Sequence, residues 1–167
     1  MLVGWFPKEN RETLEMLIKK HEIKTVIEVG CFVGLSTVFF AERCERVIAI
    51  DTFDALIRES YLGEKHKEAA QDQLKTFKEN TKDFNNILAL KMTSEEASKL
   101  PIEADLIYID AAHDYENVKK DMGLWLPKAN KVLCGDDYTD RWPGVKKAVN
   151  ESGLNINKNQ RVWYMTK

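Results

Sequence analysis

The sequence predicts an α/β fold: a three-layer, doubly wound sheet, mostly parallel, with an antiparallel last strand. Three observations predict it. Short runs rich in β-branched residues alternate with helical patterns. The runs are apolar on both faces, as in a sheet covered on both sides. The last run has no helix after it, so it is expected to enter the sheet antiparallel, as a hairpin would.

The elements follow in order. Pro7 to about His21 reads as an amphipathic helix, with Pro7 at its first position and Leu14, Leu17, Ile18 and His21 as its stripe. Thr25 to Gly30 is a buried strand. Gly34 to Cys44 is a helix with Leu35, Val38 and Phe39 on one face. Arg46 to Asp51 is the second strand. Glu64 to Asp83 alternates charge signs around a stripe of Ala70, Leu74, Phe77, Thr81 and Phe84, which is helical spacing. Ile87 to Met92 and Ala104 to Asp110 are the third and fourth strands. Tyr115 to Leu126 is a helix with Tyr115, Val118, Met122 and Trp125 as its stripe. Lys131 to Asp136 is the fifth strand, and Val145 to Ser152 a helix. Asn155 to Lys167 reads as a polar turn region, then a strand over Arg161 to Met165.

Composition narrows the class. A chain of 167 residues fits one domain over 1–167. Lys plus Arg is 25 and Asp plus Glu is 27, for a net charge of −2. That balance argues against nucleic-acid binding by bulk charge. The apolar runs end in charges well short of the ~20 residues that span a bilayer. The first residues lack the basic start and long apolar stretch of a secretory signal. Cys31, Cys44 and Cys134 are far apart and form no C-x-x-C pair, which suits reduced thiols in the cytoplasm.

In a doubly wound sheet, ligands bind beyond the C-terminal strand ends. The first strand ends in Glu28-Val29-Gly30-Cys31-Phe32-Val33-Gly34-Leu35-Ser36-Thr37. Gly30 lets the turn bend, and Gly34 is expected to let backbone approach a ligand. Phe32 stands where G-x-G-x-x-G has its middle glycine, leaving less room for a pyrophosphate. Glu28 below the loop suits an ammonium group and disfavours phosphate. An ordinary βα turn is the plain alternative. Asp51, about twenty residues beyond the turn, is placed to accept both ribose hydroxyls, or else to cap a helix with Thr52. Thr93 or Ser94 caps a short helix, or lies beside a nucleoside base as well.

Asp110 ends the fourth strand, and Asp136 and Asp137 end the fifth. Adjacent parallel strands are ~4.8 Å apart, so these carboxylates face one crevice. They repel unless a cation or proton neutralises one. All-oxygen ligands favour magnesium or calcium over zinc. Capping by Asp137 and Asp114 is the alternative. His113, in the loop after Asp110, is a candidate proton acceptor or a structural donor.

Glu28-x-Gly30-x-x-x-Gly34-x-Ser36, with Asp51 after the second strand, resembles class I S-adenosylmethionine-dependent methyltransferases. DLIYIDAAHDYENVKKDMGLWLP, then VLCGDDY, then PGVKKAV, is similar to their metal-dependent O-methyltransferases, including those of macrocin type. The resemblance implies a Rossmann-like sheet of about seven strands. It implies S-adenosylmethionine at Glu28, Gly30, Cys31, Phe32, Gly34, Ser36, Asp51, Thr52, Thr93, Ser94 and Asp110. It implies Mg2+ or another hard divalent cation on Asp110, Asp136 and Asp137. His113 is implied as general base, with Asp110 as the second candidate. Where the family has Pro-Gly-Gly, this chain has Pro127-Lys128-Ala129-Asn130, so Asn130 is expected to supply a left-handed residue. No long insertion forms a lid, so a homo-oligomer is expected to complete the pocket.

The expected activity is metal-dependent methyl transfer to a hydroxyl of a small molecule, a sugar or similar. Two alternatives stand beside it. One is a protein that binds the cofactor without transfer. The other is a nicotinamide-dependent oxidoreductase, which the absent G-x-G-x-x-G disfavours.

Overall fold

The structure, a computed structural model, describes residues 5–54 and 72–167. Helix α1 (Lys8–Lys20) precedes strand β1 (Thr25–Val29), followed by α2 (Leu35–Ala41), β2 (Arg46–Asp51), α3 (Gln73–Thr81), β3 (Ile87–Lys91) and α4 (Ser94–Ser98). Then come β4 (Ala104–Ile109), α5 (Tyr115–Trp125), a 3-10 turn (Leu126–Lys128), β5 (Ala129–Gly135), α6 (Pro143–Asn150), β6 (Asn157–Asn159) and β7 (Val162–Thr166). The strands form one seven-stranded sheet in the order β3-β2-β1-β4-β5-β7-β6. β1 to β5 pair in parallel, whereas β7 pairs antiparallel with β5 and with β6.

Strand alternation sorts the core into two layers. Val26, Val47, Leu106, Tyr108, Val132, Cys134 and Val162 pack with Leu14, Leu17 and Phe40 of α1 and α2. Ile27, Ile48, Ile107, Leu133 and Trp163 pack on the other face with Val118, Met122, Trp125 and Val149 of α5 and α6. Trp125 is fully buried, and its indole N–H donates to Ser94 Oγ at 2.9 Å, so its polar edge is satisfied.

Several expectations change. Asn157–Asn159 is a strand and not only a turn region. Its side chains are polar because it is a sheet edge that bonds only β7. The third strand is also an edge, and Leu88 is 44% exposed, so it is not buried on both faces. Asn130 is no left-handed residue but part of β5. His21 ends α1 as its C-cap rather than extending its buried stripe. The expected helix over 64–83 is seen over Gln73–Thr81, and its earlier part, with Ala70, lies outside the described residues. Among the described residues, no helix is long and apolar enough to cross a membrane.

Candidate active site

The C-terminal ends of β1, β2, β4 and β5 meet along one edge of the sheet. Gly30 N–H donates to Ile50 C=O and Asp110 N–H donates to Val29 C=O, both at 2.8 Å, so three strand ends are stitched together. Gly30 has φ +90°, and a Cβ there would lie 2.3 Å from the Asp110 carbonyl oxygen. Only glycine fits this crossing of β1 and β4. Gly34 also answers a packing need: its missing Cβ faces Phe77 and Thr81 of α3, so it admits that helix.

Glu28 lies fully buried below this turn. Its Oε2 accepts the Thr37 hydroxyl at 2.5 Å, and Ser36 adds a second hydroxyl contact. Among the described residues, its Oε1 has no hydrogen-bond partner. Burial pushes the Glu28 carboxyl up to about 7, with Asp51 adding repulsion against the two hydroxyls. A buried carboxylate oxygen without a donor is costly, and an incoming cation with N–H groups would relieve it.

Asp51 holds the neighbouring loops. It accepts the Phe32 N–H at 2.9 Å and the Phe53 N–H at 2.8 Å, one on each oxygen. Burial raises its carboxyl, and those N–H groups oppose the rise. The Cys31 side chain packs with Ala49, Phe53 and Phe77, and burial pushes its thiol well up. Of Cys31, the side chain is therefore core, and a ligand could meet only backbone. Thr52 is exposed, and its hydroxyl accepts the Asp54 N–H weakly at 3.4 Å. Thr93 caps α4 in a reciprocal box with Glu96. Ser94 donates to Asp121 at 2.5 Å while accepting from Trp125. The side chains of Thr93 and Ser94 are thus committed to structure.

At the ends of β4 and β5 the carboxylates cluster as the sequence predicts, but with different partners. Asp137 takes φ +63°, a left-handed turn that Asp tolerates better than most residues. Its Oδ2 lies 2.6 Å from His113 Nε2, and its Oδ1 pairs with Arg161 Nη2. Asp136 Oδ1 accepts from Arg161 Nε at 2.8 Å and from the Asp137 N–H at 2.5 Å. Asp136 Oδ2 accepts from Asn10 Nδ2 at 2.5 Å, and the same amide donates to the Tyr108 hydroxyl at 3.2 Å. Burial, then Asp136, Asp137 and Glu28, push the Asp110 carboxyl well above the usual carboxylate range. The His113 ring stacks on Trp142, with centroids 4.1 Å apart and planes at 19°. A Cβ on Gly144 would lie 2.6 Å from the His113 carbonyl oxygen, so α6 presses directly on the histidine loop. Trp163 walls the pocket and lies across Gly135, where a Cβ would be 2.5 Å from its ring.

The donor atoms that converge are those of Asp110, His113 and Asp137, all within 4.8 Å of one another. Asp136 is not among them. The expected all-carboxylate ligand set of Asp110, Asp136 and Asp137 is therefore not assembled. Asn10, Arg161 and the Asp137 N–H hold Asp136 away, and Arg161 already brings positive charge. These residues do not fit a hard divalent ion bound by three carboxylates. Asn10, Trp142 and Arg161 are additions to the predicted site. Asn10 had a signal, because it shares a helical face with Leu14 and Leu17 and is buried there.

Comparison with known proteins bears on this edge of the sheet. Residues 27–138 match the family described as a methyltransferase domain. The uncharacterized protein R132 of Acanthamoeba polyphaga mimivirus is 29% identical over 156 residues, covering 84% of this chain and 63% of that protein. The chain thus spans less than two thirds of that relative's length. The O-methyltransferase from Bacillus cereus in complex with SAH has a similar structure, with 15% identity, a TM-score of 0.63, and coverage of 98% and 83% of the two chains. The N-methyltransferase NodS from Bradyrhizobium japonicum WM9 gives 13%, 0.62, 94% and 92%. An rRNA methylase from Streptococcus thermophilus gives 14%, 0.65, 98% and 99%. At such identities the likeness shows the fold alone. The three names speak of different methyl acceptors, so the fold does not select one.

Proposed function

Because the chain belongs to the methyltransferase-domain family of class I S-adenosylmethionine-dependent enzymes, we propose that it methylates a hydroxyl of a small molecule, a sugar or similar. The observation that carries the proposal is the unpaired, buried oxygen of Glu28 below the Gly30 turn, with the Asp51 carboxylate on the next strand end. S-adenosylmethionine carries an ammonium group and a ribose diol, which suit those two carboxylates. When bound, it supplies a methyl group that passes from sulfur to the acceptor oxygen.

The chain's own residues do the rest. Glu28 accepts the ammonium N–H groups, and Asp51 accepts from the ribose hydroxyls. The backbone of Gly30 to Phe32 lines the cofactor between them. At the acceptor end, His113 Nε2–H donates to Asp137, which leaves the lone pair on Nδ1 to take the acceptor's proton. Asp137 then stabilises the imidazolium, and Trp142 keeps the ring from turning. No step is assigned to a divalent ion, because the expected ligand set is not assembled.

The acceptor is proposed as a small molecule, since a net charge of −2 gives no bulk attraction to nucleic acid. A cytoplasmic location is proposed on three buried, unpaired cysteines. The test is to incubate methyl-labelled S-adenosylmethionine with the protein and simple sugars and look for labelled product. Product that vanishes with His113→Ala supports the proposal. Cofactor binding with no product from any hydroxyl acceptor would leave a protein that binds without transfer.

A further inference from the structure

We propose that Arg161 is the built-in counter-ion of the Asp136–Asp137 pair and fills the electrostatic place that the sequence assigns to a divalent cation. Arg161 stands in the tight turn between β6 and β7, beside Gln160 with φ +56°. Its carbonyl accepts the Tyr138 N–H at 2.9 Å, which ties the hairpin to the segment after β5. Its guanidinium reaches across to two consecutive carboxylates, with Nε on Asp136 and Nη2 on Asp137. A forked, planar cation suits two acceptors in one plane, and an ammonium cannot reproduce that geometry.

Asp136 Oδ1 accepts from Arg161 and from the Asp137 N–H, and Oδ2 accepts from Asn10. Asp137 Oδ1 pairs with Arg161, and Oδ2 faces His113. All four carboxylate oxygens of the pair have partners from α1, the histidine loop, the backbone or the hairpin. An ion seated on Asp136 must displace one of them. Arg161 is then a positioning residue. Its single charge offsets one of the pair's two, fixes the Asp137 carboxylate against His113, and makes the two carboxylates a poorer home for magnesium. Asn10 completes the hold from the opposite side of the sequence, 126 positions away from Asp136.

The inference concerns the same site as the proposed transfer, but its test reads ion binding and not turnover, so either can fail alone. Mn2+ is titrated into the full chain and free ion is followed by electron paramagnetic resonance. An ion on Asp110, His113 and Asp137 would have to part Asp137 Oδ2 from His113 Nε2 beside the Arg161 charge, so wild type is expected to bind no Mn2+ below about 1 mM. Arg161→Met removes the competing charge, and its Mn2+ affinity should rise about tenfold or more. Arg161→Lys keeps the charge but not the fork, and its Mn2+ affinity should lie between those of wild type and Arg161→Met, a graded response that loss of packing alone would not produce. Adding Asp137→Asn to Arg161→Met should abolish the gain. Mn2+ binding by wild type at micromolar concentration would overturn the proposal. So would a folded Arg161→Met protein, checked by circular dichroism, that gains no affinity. Should Arg161→Met fail to fold, the wild-type titration decides alone: binding below about 1 mM overturns the inference, and its absence supports it.

Discussion

The two halves of the strand-end crevice solve the same problem in opposite ways. Both bury carboxylates. At the ends of β4 and β5, every oxygen of Asp136 and Asp137 has a partner within the chain. At the end of β1, Glu28 is fully buried, with one oxygen unpaired among the described residues. The Asp136–Asp137 pair is complete as it stands, although Asn10 Oδ1 beside it has no partner among the described residues, while Glu28 below the glycine turn is itself short of one donor. A fully satisfied cluster rigidifies a site, and an unsatisfied buried group stores free energy that a ligand can release. On the function proposed above, one half holds and takes up the proton and the other captures the ligand.

The largest expected effect lies in the acidic half. His113→Ala should lower the transfer rate by about 10²–10⁴, the usual contribution of a positioned acid or base. Binding of S-adenosylhomocysteine, read by calorimetry, should not change. A variant with normal rate would return His113 to a structural role and leave Asp110 as the candidate base. The seam between the halves comes next. Gly30→Ala would drive a Cβ into the Asp110 carbonyl at a positive φ, costing about 2–4 kcal/mol in denaturant unfolding. An unchanged unfolding midpoint would mean that the two strand ends separate easily.

In the capture half, Asp51→Ala should weaken S-adenosylhomocysteine binding by about 1.5–3 kcal/mol, the scale of hydrogen bonds to a charged group. Part of that loss will come through the Phe32 and Phe53 loops that Asp51 holds. Asp51→Asn keeps a hydrogen-bonding side chain there, and should lose less than Asp51→Ala. Equal affinity in wild type and Asp51→Ala would remove this residue from the ribose site.

The capture half was the more legible of the two in the sequence, though not for every reason given. Glu28, Gly30 and Asp51 follow from local order: a strand, a turn, a helix and a second strand. Gly34 was legible as a special position, but its neighbour is Phe77 of α3, and no local pattern names that contact. The central strands were legible because each is apolar on both faces. β6 was not, because Asn157, Lys158 and Asn159 bond β7 through backbone alone and bury little. In the acidic half, Asp110, Asp136 and Asp137 were readable from their strand ends, and so was their need for positive charge. The source of that charge was not. Arg161 arrives from a hairpin whose first strand has no sequence signature, and Asn10 from a helix at the other end of the chain. Long-range partners of buried charges are set by topology, and strand-end motifs carry no record of them.

On the function proposed above, Glu28 is destabilising until the cofactor completes it. Its carboxyl is raised to about 7 in the folded chain, from an ordinary value of 4.5. Between those values the folded state holds a proton that the unfolded state has lost, so stability falls as pH rises through this window. Glu28→Gln removes the titration. The most direct test is to measure unfolding free energy and S-adenosylhomocysteine affinity of wild type and Glu28→Gln, both at pH 8. The variant should be the more stable apoprotein by about 1–3 kcal/mol, with the advantage gone near pH 4.5. It should also bind S-adenosylhomocysteine more weakly, by about tenfold or more. A Glu28→Gln protein that is no more stable at pH 8 and binds as tightly as wild type would contradict the account.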